Sequence, residues 1–359
     1  MRVLVATDAI GALSSLRAGQ IIASGWARES VLVVPVGEAG GGFVSAFGDQ
    51  LGVRLELWAA GTATVTWAEH GGVAVLGGTD QALVSDVENR SSVVLGQALS
   101  RLLAELRPRK VYLDLGGWAV ADAGAGLLAA LGAVADRPLD QGGAGLVGIT
   151  QVDLGSAQAA LGQAELIGVV PTAEKGRHLY GLRGITSMRR DAASTDPESI
   201  LRQDTALQRF AALTAAEQGT KPGAGACGGL GFAVLALGGR LAIGPAIGLG
   251  LAEAEAAISE APRFLARGLD LVVTGCSIFD FATRGGGVLT TVAERASGSL
   301  SPCIAIAGEV IIGSREMRAM GIEAAYAVRE TTRDQPDSGP VSEDELGDLA
   351  RRVARSWTW

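Results

Sequence analysis

Lysine is what this chain most nearly does without. Lys110, Lys175 and Lys221 are the only three, so arginine carries almost all positive charge. The formal net charge of −8 argues against a general binder of nucleic acid or anionic membrane. Aromatics make up 4% of residues against 48% hydrophobic, which calls for a core of Ala, Val, Leu and Ile. Cys227, Cys276 and Cys303 are odd in number and form no C-x-x-C pair, so neither a disulfide framework nor a zinc site is indicated. No apolar run reaches the roughly 18 residues of a membrane span. Met1–Val5 enters a strand pattern with no signal-peptide architecture, so a cytoplasmic protein without a membrane partner is expected. Glycine, by contrast, is abundant at 52 residues, with no collagen-like period and apolar segments in between.

Arg2–Asp8 and Val31–Val36 read as buried parallel strands. Between them, Ser14 or Ser15 is placed to cap a helix running to about Trp26. Gly37–Gly42 is a glycine loop. Val53–Trp58, Ala63–Trp67 and Val73–Leu76 alternate or are bounded by glycine, as antiparallel hairpins are, with Gly61 at a turn. Val94–Leu106 has helical spacing and Lys110–Leu115 is a strand. The loop Gly116–Gly126 leads into a helix expected to run to Val134. Pro138–Arg183 reads as mixed, and Ile185–Gln218 as helical in its second half. Parallel grammar returns with strands at Leu269–Gly275, Cys303–Ala307 and Ala324–Val328. Ser342 with Glu345 is a capping-box signature for a closing helix. The fold class is therefore α/β. A doubly wound, Rossmann-like sheet domain comes from 1–50 and 266–359, a mixed α/β domain over 51–265 is inserted, and 329–340 links to the last helix.

Pro222–Gly231 holds five glycines in ten residues before the apolar run Phe232–Leu237. A glycine loop opening a helix presents N–H groups to a phosphate or carboxylate; the bland alternative is a tight packing turn. Its G-x-G-x-x-G spacing lacks a preceding strand and a following acid, which disfavours a dinucleotide site. No P-loop motif occurs, and His70 and His178 are isolated. Asp8, Glu38, Asp122 and Asp280 each follow a strand or sit in a glycine loop, where carboxylates can hold Mg²⁺ or accept a proton from a hydroxyl. Singly, each is as well explained as a cap or turn former.

In their order, Arg2–Asp8, Val34–Gly42, Gly116–Gly126, Pro222–Gly231, Asp270–Asp280 and Cys303–Val328 resemble the type I glycerate kinase family over nearly the whole chain. The resemblance implies phosphorylation of glycerate or a related hydroxy acid, with ATP and Mg²⁺ as cofactors. It implies catalytic roles for Asp8, Asp122 and Asp280 and a metal role for Glu38. Substrate or phosphate binding would fall to Gly116, Gly117, Gly223, Gly225, Gly228, Gly229, Gly231, Thr283 and Arg284. Several polar positions of the family differ here. Ala9–Ala12 replaces a lysine-bearing stretch, and Gly41 stands for a Glu. Trp118, Val120 and Ala121 stand for Ser, Thr and Asn, while Cys276, Ser277 and Ile278 replace Glu-Gly-Arg. A lysine is also missing near Gly287, leaving Arg284 as the cation of that loop. Taking the loss of one oxyanion-hole donor, about 2.7–4 kcal/mol, as the scale, each missing charged contact to a transferring phosphoryl group weakens the transition state substantially. The alternative is thus a catalytically impaired homologue whose site, lined by Trp118, Val120, Ala121 and Ile278, binds a ligand or a protein partner.

Overall fold

The computed structural model describes residues 1–60, 63–80, 87–188, 196–258, 268–329 and 341–358. In chain order it opens with β1 (Arg2–Val5), α1 (Ser15–Ser24), β2 (Ser30–Val33) and α2 (Phe43–Leu51). Three strands follow, β3 (Glu56–Ala60), β4 (Ala63–His70) and β5 (Val73–Asp80), then α3 (Val93–Leu106), β6 (Lys110–Asp114) and α4 (Ala125–Ala130). The middle contains β7 (Val134–Ala135), β8 (Val152–Asp153), α5 (Gly155–Ala160), β9 (Glu165–Val170) and α6 (Pro197–Gly219). Next come α7 (Ala226–Ala236), β10 (Arg240–Ile243), α8 (Gly244–Ile258), β11 (Leu271–Phe279) and α9 (Gly286–Gly298). The chain closes with β12 (Cys303–Val310), α10 (Ser314–Ala319), β13 (Ala324–Ala327) and α11 (Glu343–Ser356).

Two compact units result. The first comprises 1–38, 45–52 and 244–359, the second 39–44 and 53–243. Helix α8 falls in the first unit, whereas the sequence reading assigned it to the inserted domain. The expected boundary at 265/266 and the linker beyond Arg329 lie outside the described residues.

The first unit is an all-parallel sheet in the order β13-β12-β11-β1-β2. Alternation along its strands divides the core between two faces. Leu4, Ala6, Val272 and Ala305 pack with Leu249 of α8 and Val288, Leu289 and Val292 of α9. Val3, Val5, Val273 and Ile304 pack with Ile22 of α1 and Leu346 and Leu349 of α11. Both covering helices α1 and α11 start where the caps were read. The Ser14 side chain accepts from Arg17 N–H, and Ser342 with Glu345 forms a complete capping box. Ser15 then ties two strand ends together: its hydroxyl donates to Thr7 O at 2.7 Å and accepts from Val36 N–H at 2.8 Å.

The second unit contains a six-stranded sheet, β10-β9-β6-β5-β4-β3. β5, β6, β9 and β10 are parallel, while β3, β4 and β5 form the antiparallel hairpins expected from the alternation of the first two and the Gly71-Gly72 turn before the third. Helix α7 is apolar on every side and buried from Gly229 to Ala236, as a helix enclosed by a core must be. Two readings need correction. Helix α4 ends at Ala130 rather than Val134, because Gly132 turns the chain at φ 103° and Val134 enters a strand. Helix α2 was not foreseen, since Gly40–Gly42 masks its start.

Candidate functional site

In the first unit, β1 leads on to β2 on one side, while β11, β12 and β13 progress to the other. The order therefore reverses between β1 and β11, and ligands of such sheets bind beyond the carboxyl ends at that reversal. Asp8, Glu38, Cys276 and Asp280 all sit at these ends. Asp8 N–H donates to Gly275 O at 3.0 Å, and its side chain accepts from Ala9 N–H at 2.8 Å. Burial raises the Asp8 pKa; the Ala9 hydrogen bond opposes that rise, and the nearby Glu38 charge adds to it. Burial likewise pushes the Cys276 thiol up to about 12, and the charges of both Asp8 and Asp280 act in the same direction. The two aspartates thus lie within electrostatic reach of one buried sulfur. Ser277 Oγ joins the strand ends by accepting from Gly11 N–H and donating to Ala9 O.

Asp280 behaves differently. Its carboxylate accepts from Thr283 N–H and Thr283 Oγ, both at 2.7 Å, and these bonds hold its pKa below the usual value. Arg284 follows at φ 52°, exposed, just before α9. Sequence reading placed Asp8, Glu38 and the loop carrying Asp280, Thr283 and Arg284 far apart along the chain; within this unit they lie at one end of one sheet.

In the second unit Asp122 is entirely buried, and its carboxylate takes four hydrogen bonds: from Ser92 N–H and Oγ, Gly124 N–H and Gly126 N–H. Burial raises its pKa and these donors oppose the rise. Asp122, expected at the chemistry, holds the turn into α4 through these bonds. That turn supports the glycine segment, with Ala123 N–H donating to Gly228 O at 3.2 Å. Gly228 lies at φ 67°, where a Cβ would sit 1.8 Å from Val120 O. Gly225, Gly229 and Gly231 are pressed in the same way against His178 O, Ala123 Cα and Gly223 O, and Gly223 against Leu241 and Lys175 O. The close approach these glycines permit is to the protein's own backbone. Helix α7 starts at Ala226, earlier than expected, with Cys227, Gly228 and Gly229 at positive φ inside it. Glu174 Oε2 accepts the Cys227 N–H at 2.7 Å, so a carboxylate of the chain itself holds that donor.

Asp114 is the residue sequence reasoning missed. At the end of β6 and 3% exposed, it accepts from Gly40 N–H at 2.9 Å and Gly116 N–H at 2.9 Å, clamping the Gly40 and Gly116–Gly117 loops together. Its place as the last residue of a strand before a glycine pair was the available signal. Trp118, Val120 and Ala121, read as lining a cleft, belong to the core of this unit at 9% exposure or less; of the four replacements only Ile278 is exposed.

Among the described residues no group of three or more His, Cys, Asp or Glu side chains could cage a metal. Mg²⁺ does not need such a cage, since one or two carboxylates plus substrate phosphates suffice. The carboxylates at the ends of β1, β2 and β11 are hard oxygen donors of the kind that Mg²⁺ takes.

Fold and carboxylates together define a two-unit α/β protein with an acidic site at a sheet reversal. The chain belongs to the glycerate kinase family, whose model matches residues 3–358. A glycerate kinase of Halalkalibacterium halodurans is 25% identical over 99% of this chain and 98% of its own. An uncharacterised protein of Mycobacterium tuberculosis is 28% identical over 99% of this chain and 91% of its own. A glycerate kinase of Bacillus cereus is 28% identical over 69% and 64%. A crystal structure from Salmonella typhimurium LT2 shares the fold, with a TM-score of 0.75, 24% identity, and coverage of 99% of this chain and 96% of the other. Among the described residues no helix is long and apolar enough to cross a membrane.

Proposed function

We propose that the protein is a phosphotransferase that moves the γ-phosphoryl group of ATP to a hydroxyl of glycerate or a related hydroxy acid. The observation that carries this reading is the gathering of Asp8, Glu38 and Asp280 at the β1/β11 reversal of a chain matched over 3–358 by its family. Mg²⁺ and ATP, when bound, supply charge neutralisation and the phosphoryl donor. Glu38 and Asp280 would hold the metal; Asp280 suits a cation because Thr283 keeps it ionised. Asp8 suits a proton, since its raised pKa makes it the better base. In the step itself the bond from phosphorus to the ADP oxygen breaks and a bond to the substrate oxygen forms. The hydroxyl proton passes to the Asp8 carboxylate, and ADP leaves with the bond pair.

Asp122, Asp114 and the glycines at 116, 117, 223, 225, 228, 229 and 231 are positioning groups in this reading, fixing the loops of the second unit. A coupled assay for ADP release, with Mg²⁺, ATP and D-glycerate, tests the proposal. Turnover lost on Asp8→Asn with folding intact is the expected result; no ADP release and no nucleotide binding by calorimetry would end it.

A further inference from the structure

Asp8, just beyond β1, has one carboxylate oxygen held and one open. Oδ1 accepts from Ala9 N–H at 2.8 Å, while Oδ2 has no hydrogen-bond partner among the described residues. The backbone around this carboxylate is fastened to β11. Asp8 N–H donates to Gly275 O at 3.0 Å. Two residues further along that strand, Ser277 Oγ donates to Ala9 O at 3.2 Å and accepts from Gly11 N–H at 2.9 Å. A single hydroxyl therefore grips the two peptide groups that flank Ile10. Ile10 is fully buried and exchanges two backbone bonds of 3.1 Å with Leu13, closing the turn behind it. Among the described residues, no other hydrogen bond from 9–13 reaches β11.

Resting on the phosphotransfer reading above, we infer that Ser277 is a positioning residue, which fixes the Asp8–Gly11 loop so that the open oxygen of Asp8 keeps its bearing on the substrate hydroxyl. A base must stand within hydrogen-bond reach of the proton it takes, and a displacement of about 1 Å can cost about a hundredfold. The Ala9 N–H that orients the carboxylate belongs to the same loop. Once the peptides around Ile10 are released from β11, that bond and the carboxylate shift together. Both bonds of the Ser277 hydroxyl are exposed, so water can replace them and their loss weighs little on folding. The hydroxyl also belongs to this chain's own version of the site. Ser277 stands where the resemblance has the glycine of Glu-Gly-Arg, and it meets the lysine-free stretch Ala9–Ala12.

The test measures kcat, and KM for ATP and for D-glycerate, in the full chain with Mg²⁺, comparing wild type with Ser277→Ala and Ser277→Thr. Ser277→Ala is expected to lower kcat about 10–100-fold, with both KM values within about twofold of wild type. Ser277→Thr keeps the oxygen on a strand, where β-branching is well accepted, and is expected to restore most of kcat. Unchanged kcat in Ser277→Ala overturns the inference and leaves the phosphotransfer reading standing. A raised KM with kcat intact would make Ser277 a binding contact and also overturns it. So does a loss that threonine fails to restore, or an alanine variant that no longer folds, since either assigns the side chain to the fold alone. No turnover by the wild-type chain removes both readings together.

Discussion

Replacing Gly228 with alanine tests how the glycine segment is held. The added Cβ would lie 1.8 Å from Val120 O, 2.6 Å from Val120 C and 3.2 Å from Ala121 N. All three are backbone atoms, so no side-chain rotation relieves the overlap. The residue also sits at φ 67°, where an L side chain costs about 1–2 kcal/mol. Overpacking adds about 1–3 kcal/mol, for a total of about 2–5 kcal/mol. Gly162→Ala separates the two effects, because Gly162 has φ 58° with open space around its would-be Cβ. It should lose about 1–2 kcal/mol, the conformational part alone. Urea unfolding followed by tryptophan fluorescence reads both variants, since Trp58, Trp67 and Trp118 all lie in the second unit. In thermal melts each kcal/mol should lower the midpoint by about 2–4 °C. Equal losses in the two variants would refute the claim that the loop is packed against backbone, and would return the glycines to a role in ligand approach.

Asp8→Asn should raise stability at neutral pH by about 0.5–2 kcal/mol while abolishing turnover, because asparagine can still accept from Ala9 N–H without a buried charge. The sign follows from linkage. The folded state holds this proton more tightly than the unfolded chain, so wild-type stability falls as pH rises from the ordinary 3.8 through the raised folded value. Asp8→Asn should flatten that slope in denaturation curves taken across the window, and an unchanged slope would contradict it. Ser92→Ala removes the hydroxyl that donates to Asp122 and accepts from Leu127 N–H, leaving buried partners unpaired; a loss of about 1–3 kcal/mol is expected in urea. Ser342→Ala breaks the capping box of α11 and should cost about 1 kcal/mol, read as a lowered melting temperature.

Where a signal was local, the sequence was readable. Ser14 and Ser342 announced their helices because a cap needs only the next three residues; β1 showed itself as a buried apolar run and β4 by its alternation. Failures occurred where the deciding partner lies far away in the chain. Asp114 looks like any strand-terminal aspartate until Gly40, 74 residues earlier, is seen donating to it. The start of α7 depends on Glu174, Val120 and Ala123, none of which is its neighbour in sequence. Trp118 and Val120 looked like replacements within a binding surface, yet an apolar residue in a glycine loop can equally be drawn into the core beneath it. The reversal between β1 and β11 was implied by parallel grammar at both termini, but strand order is a pairing property that no single segment carries.

The pairing of β1 with β11 also bears on how the chain is made. Arg2 meets Asp270 across a separation of 268 residues, so β1 and β2 leave the ribosome long before the strand that completes their sheet. Throughout synthesis of the second unit, the ribbon Val3–Val5 keeps an open edge of unpaired N–H and carbonyl groups beside an apolar surface. Nascent chains stopped short of Leu271 should therefore be the species that chaperones retain and that neighbouring copies on a polysome capture.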